Sequence, residues 1–312
     1  MDFLISLLSQ SDALLHSTLV AATPLLLAAL GETLVQRAGI INIGLEGILL
    51  IGAFGGMVVC YFSGSPLLGL FAGAFSGLLL ALLFAGLAVG LSADQIVVGV
   101  SLNLLAAGVT GVLYRAIFGM TGQTFQITTF APISIPFLST IPVLGPALFH
   151  HTGLVYLAII VVPLFSFFLF HLRAGLQLQA VGEHPRAAET LGISVRRVRV
   201  LALAVEGLLG GIAGSYLSLA YSNTFIEGMS AGRGFIALAI VIFGRWNPSG
   251  TLGGALFFGA ATALQFHLQA LGSEMPYQFV LMLPYLLTIL ALVLLGTRTS
   301  APAALGQSYN RE

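Results

Sequence analysis

Residues 47–93 read GILLIGAFGGMVVCYFSGSPLLGLFAGAFSGLLLALLFAGLAVGLSA, with no Asp, Glu, Lys or Arg between Glu46 and Asp94. A helix needs about 20 apolar residues to cross a bilayer. This run holds two such crossings, with Gly64-Ser65-Pro66 as the break between them. A second charge-free run lies between Arg115 and Arg173. Over the whole chain of 312 residues, 58% are hydrophobic and 7% charged, against about 25% charged in soluble domains. These features predict an all-α polytopic membrane protein, a single transmembrane domain over residues 1–312, in contact with membrane lipid.

Working outward, apolar runs place spans at about 13–36, 43–62, 66–91, 95–118, 152–172, 200–221, 234–244, 250–270 and 277–297. That is about nine transmembrane helices (eight to ten), with broken or re-entrant segments. Residues 1–12 are weakly amphipathic and are expected at an interface. The start, MDFLISLLSQSD, lacks a basic lead, so the first span is expected to direct insertion itself. The seventh run is only about 11 residues, roughly 16 Å of helix. It is expected to continue from Phe225 as a helix interrupted at Ser230-Ala-Gly-Arg-Gly234. Irregular backbone at that depth needs protein or a watery cavity around it.

Arginine sets the orientation, since all eleven basic residues are Arg. Placing residues 173–199 in the cytoplasm puts nine of the eleven there, with Arg115 and Arg233 outside. The N-terminus is then outside and the C-terminus cytoplasmic. Residues 119–151, with four prolines and many Thr and Ser, become an external loop that could face an outside partner. Net charge is zero, which gives no case for nucleic acid. Cys60 stands alone, so no intrachain disulfide exists and packing is its expected role.

The one long polar island is HLRAGLQLQAVGEHPRAAETLGISVRRVRV, residues 171–200, with five of the arginines. Pro185 suits a first helical position and Gly192 the residue just past a helix end. A helix that short is unstable alone, so it is expected to dock on something. Ala187, Ala188 and Leu191 fall on one face, Arg186 and Glu189 on another. On helix signals alone an ordinary solvated loop fits equally well. Arg196, Arg197 and Arg199 are read as orienting charges.

Glycines recur every three to four positions, as at Gly52, Gly55 and Gly56, at Gly69, Gly73 and Gly77, and at Gly207, Gly210, Gly211 and Gly214. That spacing lets helices approach closely in lipid. Glu32, Arg37, Asn42 and Glu46 surround an apolar Gly-Ile-Ile-Asn-Ile-Gly turn, read as a buried broken-helix junction whose backbone needs partners. A structural ion cluster of Glu32, Arg37 and Glu46 is the favoured reading there. Other polar residues inside spans include Thr110, Ser215, Ser218, Gln265 and Gln269, and most are expected to bond between helices. Asn42, Glu46, Asn103 and Glu206 are the candidates for a solute path; burial of Glu206 would demand a partner. Glu227 and Arg233 are read as an outer pair or gate, and Asp94 as a helix cap. His16, His171 and His267 are isolated and His150-His151 adjacent, so no metal site is expected. No Walker A pattern and no nucleophile–base pair occurs, so no catalytic residue and no cofactor are expected.

The stretch GEHPRAAETLGI resembles the cytoplasmic loop of permeases in ATP-binding-cassette importers of the branched-chain amino acid, ribose and nucleoside type. Residues 31–56, GETLVQRAGIINIGLEGILLIGAFGG, are similar to the junction that opens these permeases, and residues 240–255, IVIFGRWNPSGTLGGA, to their glycine-rich turn. Arg245-Trp246-Asn247 stands where small residues are usual. The GLEG spelling looks closest to the nucleoside subgroup. The resemblance implies a bacterial inner-membrane subunit without its own nucleotide site. It implies three partners: a cytoplasmic ATPase, a second permease, and an external binding protein or lipoprotein. It also implies that Glu183, His184, Pro185, Arg186, Ala187, Ala188, Leu191 and Gly192 form the ATPase-coupling element. The expected solute is a nucleoside, with ribose-type sugars or branched-chain amino acids as alternatives. An ion-coupled secondary transporter is the rival class.

Overall fold

The computed structural model of the chain describes residues 2–119, 125–136, 139, 144–270, 282, 286, 289 and 301–309. The first eight expected spans are helical. They are α1 (Asp2–Arg37), α2 (Leu45–Ser63), α3 (Pro66–Ala85, running on as a π-helical turn to Gly90) and α4 (Gln95–Phe118). In the long loop after α4 come β1 (Pro132–Ser134), α5 (Leu144–Phe149) and β2 (His150–Thr152). Then follow α6 (Gly153–His171), α7 (Arg173–Glu183), α8 (Pro185–Thr190), α9 (Val195–Tyr216, with a π-helical turn to Tyr221), α10 (Arg233–Phe243) and α11 (Pro248–Ala270). Among the described residues six helices are long and apolar enough to cross a membrane. The ninth expected span, 277–297, lies outside the described residues except at 282, 286 and 289, which are helical.

Several expectations are corrected. Residues 2–12 continue α1 as one helix, with no break before the span. The polar island is not one helical turn in a loop. Residues 173–183 form α7, whose Leu178, Val181 and Gly182 are buried, and α9 starts at Val195, putting Arg196, Arg197 and Arg199 on its first turns. Residues 225–230 are turns rather than helix. The segment before α10 needs left-handed backbone at Asn223, Gly228, Ala231 and Gly232, which a helix cannot supply. The fold is not purely helical: β1 and β2 pair antiparallel with Ile133 opposite His151, in a region whose prolines keep helix short.

Close approach holds the bundle together. α2, α3 and α9 meet along their glycines. A Cβ on Gly214 would overlap the Leu49 carbonyl, and one on Gly211 would overlap that of Gly73. Ser215, between them, donates to the Gly52 carbonyl at 3.2 Å. α1 packs against α9, α10 and α11, burying Leu27, Leu30 and Val35 with Phe258. Large apolar side chains stay exposed on α3, α4 and α6, among them Phe71, Leu104 and Leu164. For a chain in lipid these are the outward, solvated positions.

One end of the bundle gathers Arg37, α7, α8 and the start of α9; the opposite end carries Ser63, Phe118 and the β1–β2 ribbon. At that second end Cys60 donates its thiol to the Thr128 carbonyl at 3.3 Å. His16 is not isolated, since its ring stacks on His151 at 4.3 Å. Burial lowers the His151 pKa, although its Nε2 bonds the Ala147 carbonyl at 2.7 Å.

Candidate functional site: coupling end and buried junction

α8 is built as its sequence signals suggest. Pro185 opens it, and Gly192, with φ of 80°, closes it while Ile193 N–H returns to the Ala188 carbonyl at 3.1 Å. Its faces sort differently from expectation. Ala188 points inward and packs with Val181 and Val195, whereas Ala187 and Arg186 are exposed and Leu191 is 81% exposed. The reason is registry: one face of a six-residue helix must seat on α7 and α9, and Ala188 takes that place. Glu183 and His184, both exposed, precede it.

A strap not legible in the sequence ties this end together. Residues 301–309 run across it. Ala303 N–H donates to Glu183 at 3.2 Å, Ala304 N–H to the Gly182 carbonyl at 2.9 Å, and Gly306 N–H to the Gly39 carbonyl at 3.2 Å. Tyr309 hydroxyl donates to Glu189. Arg199 is more than an orienting charge: buried at 3% exposure, it donates to the carbonyls of Ala38 at 3.2 Å and Gln307 at 3.1 Å.

The 38–44 junction is buried, and its polar groups engage one another. Asn42 donates to Glu206 at 2.7 Å and accepts from Gly44 N–H at 2.9 Å. Its own N–H reaches Glu32 at 3.4 Å. Gln36 donates to Glu32 at 2.7 Å and accepts from the Trp246 indole at 2.6 Å. Arg37 donates to the Trp246 carbonyl at 2.7 Å. Glu32 and Glu206 are both fully buried and share Asn42 as a partner. Among the described residues, Oε2 of Glu32 and Oε1 of Glu206 have no partner.

Asn103 serves the same junction, accepting from Gly47 N–H at 2.7 Å and donating to the Ile43 carbonyl at 3.0 Å. Glu46 does not join Glu32 and Arg37 in an ion cluster. Its carboxylate accepts from Gly232 N–H at 2.8 Å and Gly234 N–H at 2.7 Å, closing the N-terminus of α10. Open N–H groups and a positive helix dipole favour an anion there. Gly234 is required, since a Cβ would collide with the Glu46 backbone. Of the four path candidates, Asn42 and Glu206 are thus brought together, and Glu46 and Asn103 hold neighbouring backbone.

Glu227 pairs with Arg115 rather than Arg233, through two bonds of 2.9 and 2.8 Å. The guanidinium holds the Glu227 carboxyl below the usual carboxylate range. Arg233 instead lies 5.5 Å from the Tyr221 ring centre. Asp94 caps α4 as expected, accepting from Ile96 and Val97. No cluster of three or more metal-ligating side chains occurs among the described residues.

Residues 14–292 match the family model described as the branched-chain amino acid transport system / permease component. The chain belongs to that permease family. It is a multi-pass membrane subunit of an ATP-binding-cassette importer, which sets aside the ion-coupled reading. The guanosine permease protein NupQ of Bacillus subtilis is 40% identical, over 94% of this chain and 95% of that one. The nucleoside permease protein NupC of Lactococcus lactis is 38% identical, over 93% of this chain and 94% of its own length. TsgC13 of Haloferax volcanii, whose name gives a glucose permease assignment as provisional, is 40% identical over 98% of this chain and 99% of its own.

Proposed function

We propose that this permease forms half of a nucleoside path across a bacterial inner membrane. A second permease, identical or homologous, would complete the path. A cytoplasmic ATPase would drive it, and an external binding protein would deliver the solute to residues 119–151. In this reading the Arg37 end is cytoplasmic, the chain crosses nine times, the N-terminus is outside and the C-terminus is cytoplasmic. Two relatives named for guanosine and nucleosides, each matched over more than nine-tenths of its length, support the solute class.

The observation that carries the reading is the construction of α8. One face is seated on the bundle through Ala188. The other offers Arg186, Ala187 and Leu191 outward, a charged group beside a small and an apolar one that could enter a groove in an ATPase. Glu183 to Gly192 is then the coupling element. Its motion has a solid route inward. α8 and α7 are bonded through the strap to Gly39, Gly39 leads into the Asn42–Glu206 junction, and α2 from that junction carries Glu46 to the tip of α10. Rigid-body rocking of one such assembly against another is a common way to alternate access. Asn42, Glu46, Asn103 and Glu206 act in this scheme as positioning residues for the moving parts.

The test uses the full assembly in vesicles. Ala187→Glu is expected to abolish guanosine-stimulated ATP hydrolysis while the permease still inserts and reaches wild-type membrane levels. Unchanged stimulation would remove the coupling assignment. Glucose is the second reading, carried by the similarity to TsgC13, and uptake of glucose with none of guanosine would select it.

A further inference from the structure

A cavity in the half of the bundle away from the strap has no role so far. It lies between α1, the turn of Tyr221, the start of α10 and α11, and encloses about 180 Å³. Pro24, Tyr221, Arg233, Thr262, Gln265 and Phe266 line it. By helix rise, Thr262 and Gln265 stand roughly 20–25 Å from the start of α11, well past the middle of a bilayer core of about 30 Å.

Its polar side chains are less fully engaged than those of the junction, Thr262 bonding only within its own helix, to the Phe258 carbonyl at 3.0 Å. Gln265 is only 8% exposed, yet its amide makes no hydrogen bond among the described residues. The amides of Gln36, Gln95 and Gln179 all bond to the protein. The Gln265 amide is open to the cavity rather than sealed in protein, so it can bond what enters. Arg233 uses Nη1 on the carbonyls of Met229 at 2.9 Å and Ser230 at 3.3 Å. It has no carboxylate partner among the described residues, the Glu227 carboxylate being taken up by Arg115. A guanidinium at the mouth of a span, with donors to spare, suits a wet path. Tyr221 and the half-exposed Phe266 add two flat rings.

We infer that this cavity is a subsite for the nucleobase of an uncharged nucleoside in transit. A primary amide presents a donor beside an acceptor, and so does the edge of a base. Arg233 supplies donors for a ring carbonyl, and the aromatic faces can stack on a planar ring. The α10 N-terminus is already closed by Glu46, so it does not compete as an anion site. The volume is below the 300–1000 Å³ of whole small-molecule sites. It accommodates the base, with the ribose left toward the rest of the path. This inference rests on the nucleoside reading above.

The complete assembly is reconstituted, and guanosine uptake is measured at saturating binding protein, together with ATP hydrolysis in the absence of solute. Gln265→Leu is expected to lower guanosine uptake about tenfold, the factor for one lost hydrogen bond, with solute-free ATP hydrolysis unchanged. Gln265→Asn keeps the polarity but withdraws the amide, and is expected to lower uptake by a smaller factor; it serves if the leucine variant does not assemble. Guanosine uptake at the wild-type rate in these variants overturns the subsite. So does an uptake loss matched by an equal loss of solute-free hydrolysis. Wild-type assemblies that carry no nucleoside overturn the underlying substrate reading, whereas wild-type guanosine uptake with insensitive Gln265 variants overturns the subsite alone.

Discussion

The buried junction and the outer cavity hold the same kinds of side chain and use them in opposite ways. Around residues 38–44, Asn42, Gln36, Asn103 and the indole of Trp246 all face protein partners at 2.6–3.0 Å, and only one oxygen each of Glu32 and Glu206 is left over among the described residues. Around the cavity, the Gln265 amide stays open and Arg233 keeps donors free among the described residues. Both regions sit in an apolar bundle where an unmet polar group is expensive. A polar cluster closed on itself fixes geometry. One left open has room for a visitor. Polarity within a span therefore says little about a solute path until the hydrogen bonds have been assigned.

Substitutions at three positions sharpen that contrast. The largest effect is expected at Asn42. Asn42→Leu leaves Glu206 and Gly44 N–H without their shared partner, at about 1–3 kcal/mol each. The unfolding midpoint of the purified permease in detergent should fall by several degrees. A midpoint within one or two degrees of wild type would mean the junction is not closed as described. Next is Glu46→Ala, which reopens two N–H groups at the tip of α10. The expected loss is about 1–3 kcal/mol, with Glu46→Gln losing less because it keeps one acceptor; equal losses in both would point to charge, not the bonds. The cavity substitution Gln265→Leu should leave the midpoint unchanged, since it breaks no bond among the described residues.

The smallest effect is expected at Glu227. Arg115 depresses its carboxyl pKa, so the pair's contribution is present above the ordinary carboxylate value and is lost as pH falls through the folded value. Both side chains are exposed, and salt screens such pairs. Glu227→Gln should not move the midpoint measurably at neutral pH and about 0.15 M salt. A clear drop would show that this pair is less open to solvent than its exposure indicates.

The spans were legible because charge-free runs and helix punctuation are local signals. Asp94 as a cap, and Pro185 and Gly192 as brackets of α8, are likewise written within a few residues. What escaped was set by distant partners. The strap of residues 301–309 meets Gly39 and Gly182 far along the chain. Trp246 finds Gln36 across two helices, and its turn needs left-handed backbone at Arg245 and Trp246, which no propensity announces. Glu46 was grouped with Glu32 by sequence proximity, although helix α2 turns it toward α10. α7 was missed because LQLQAV reads as polar until its one buried face is known.

The strap has a consequence for the order of synthesis. Residues 301–309 leave the ribosome after all eleven helices described here, and they supply the bonds to Glu183, Gly182 and Gly39 that finish the α8 end. The α8 end is thus completed only after the helices that precede it. A nascent chain stalled before residue 301 would carry α1 to α11 but an unfinished α8 end.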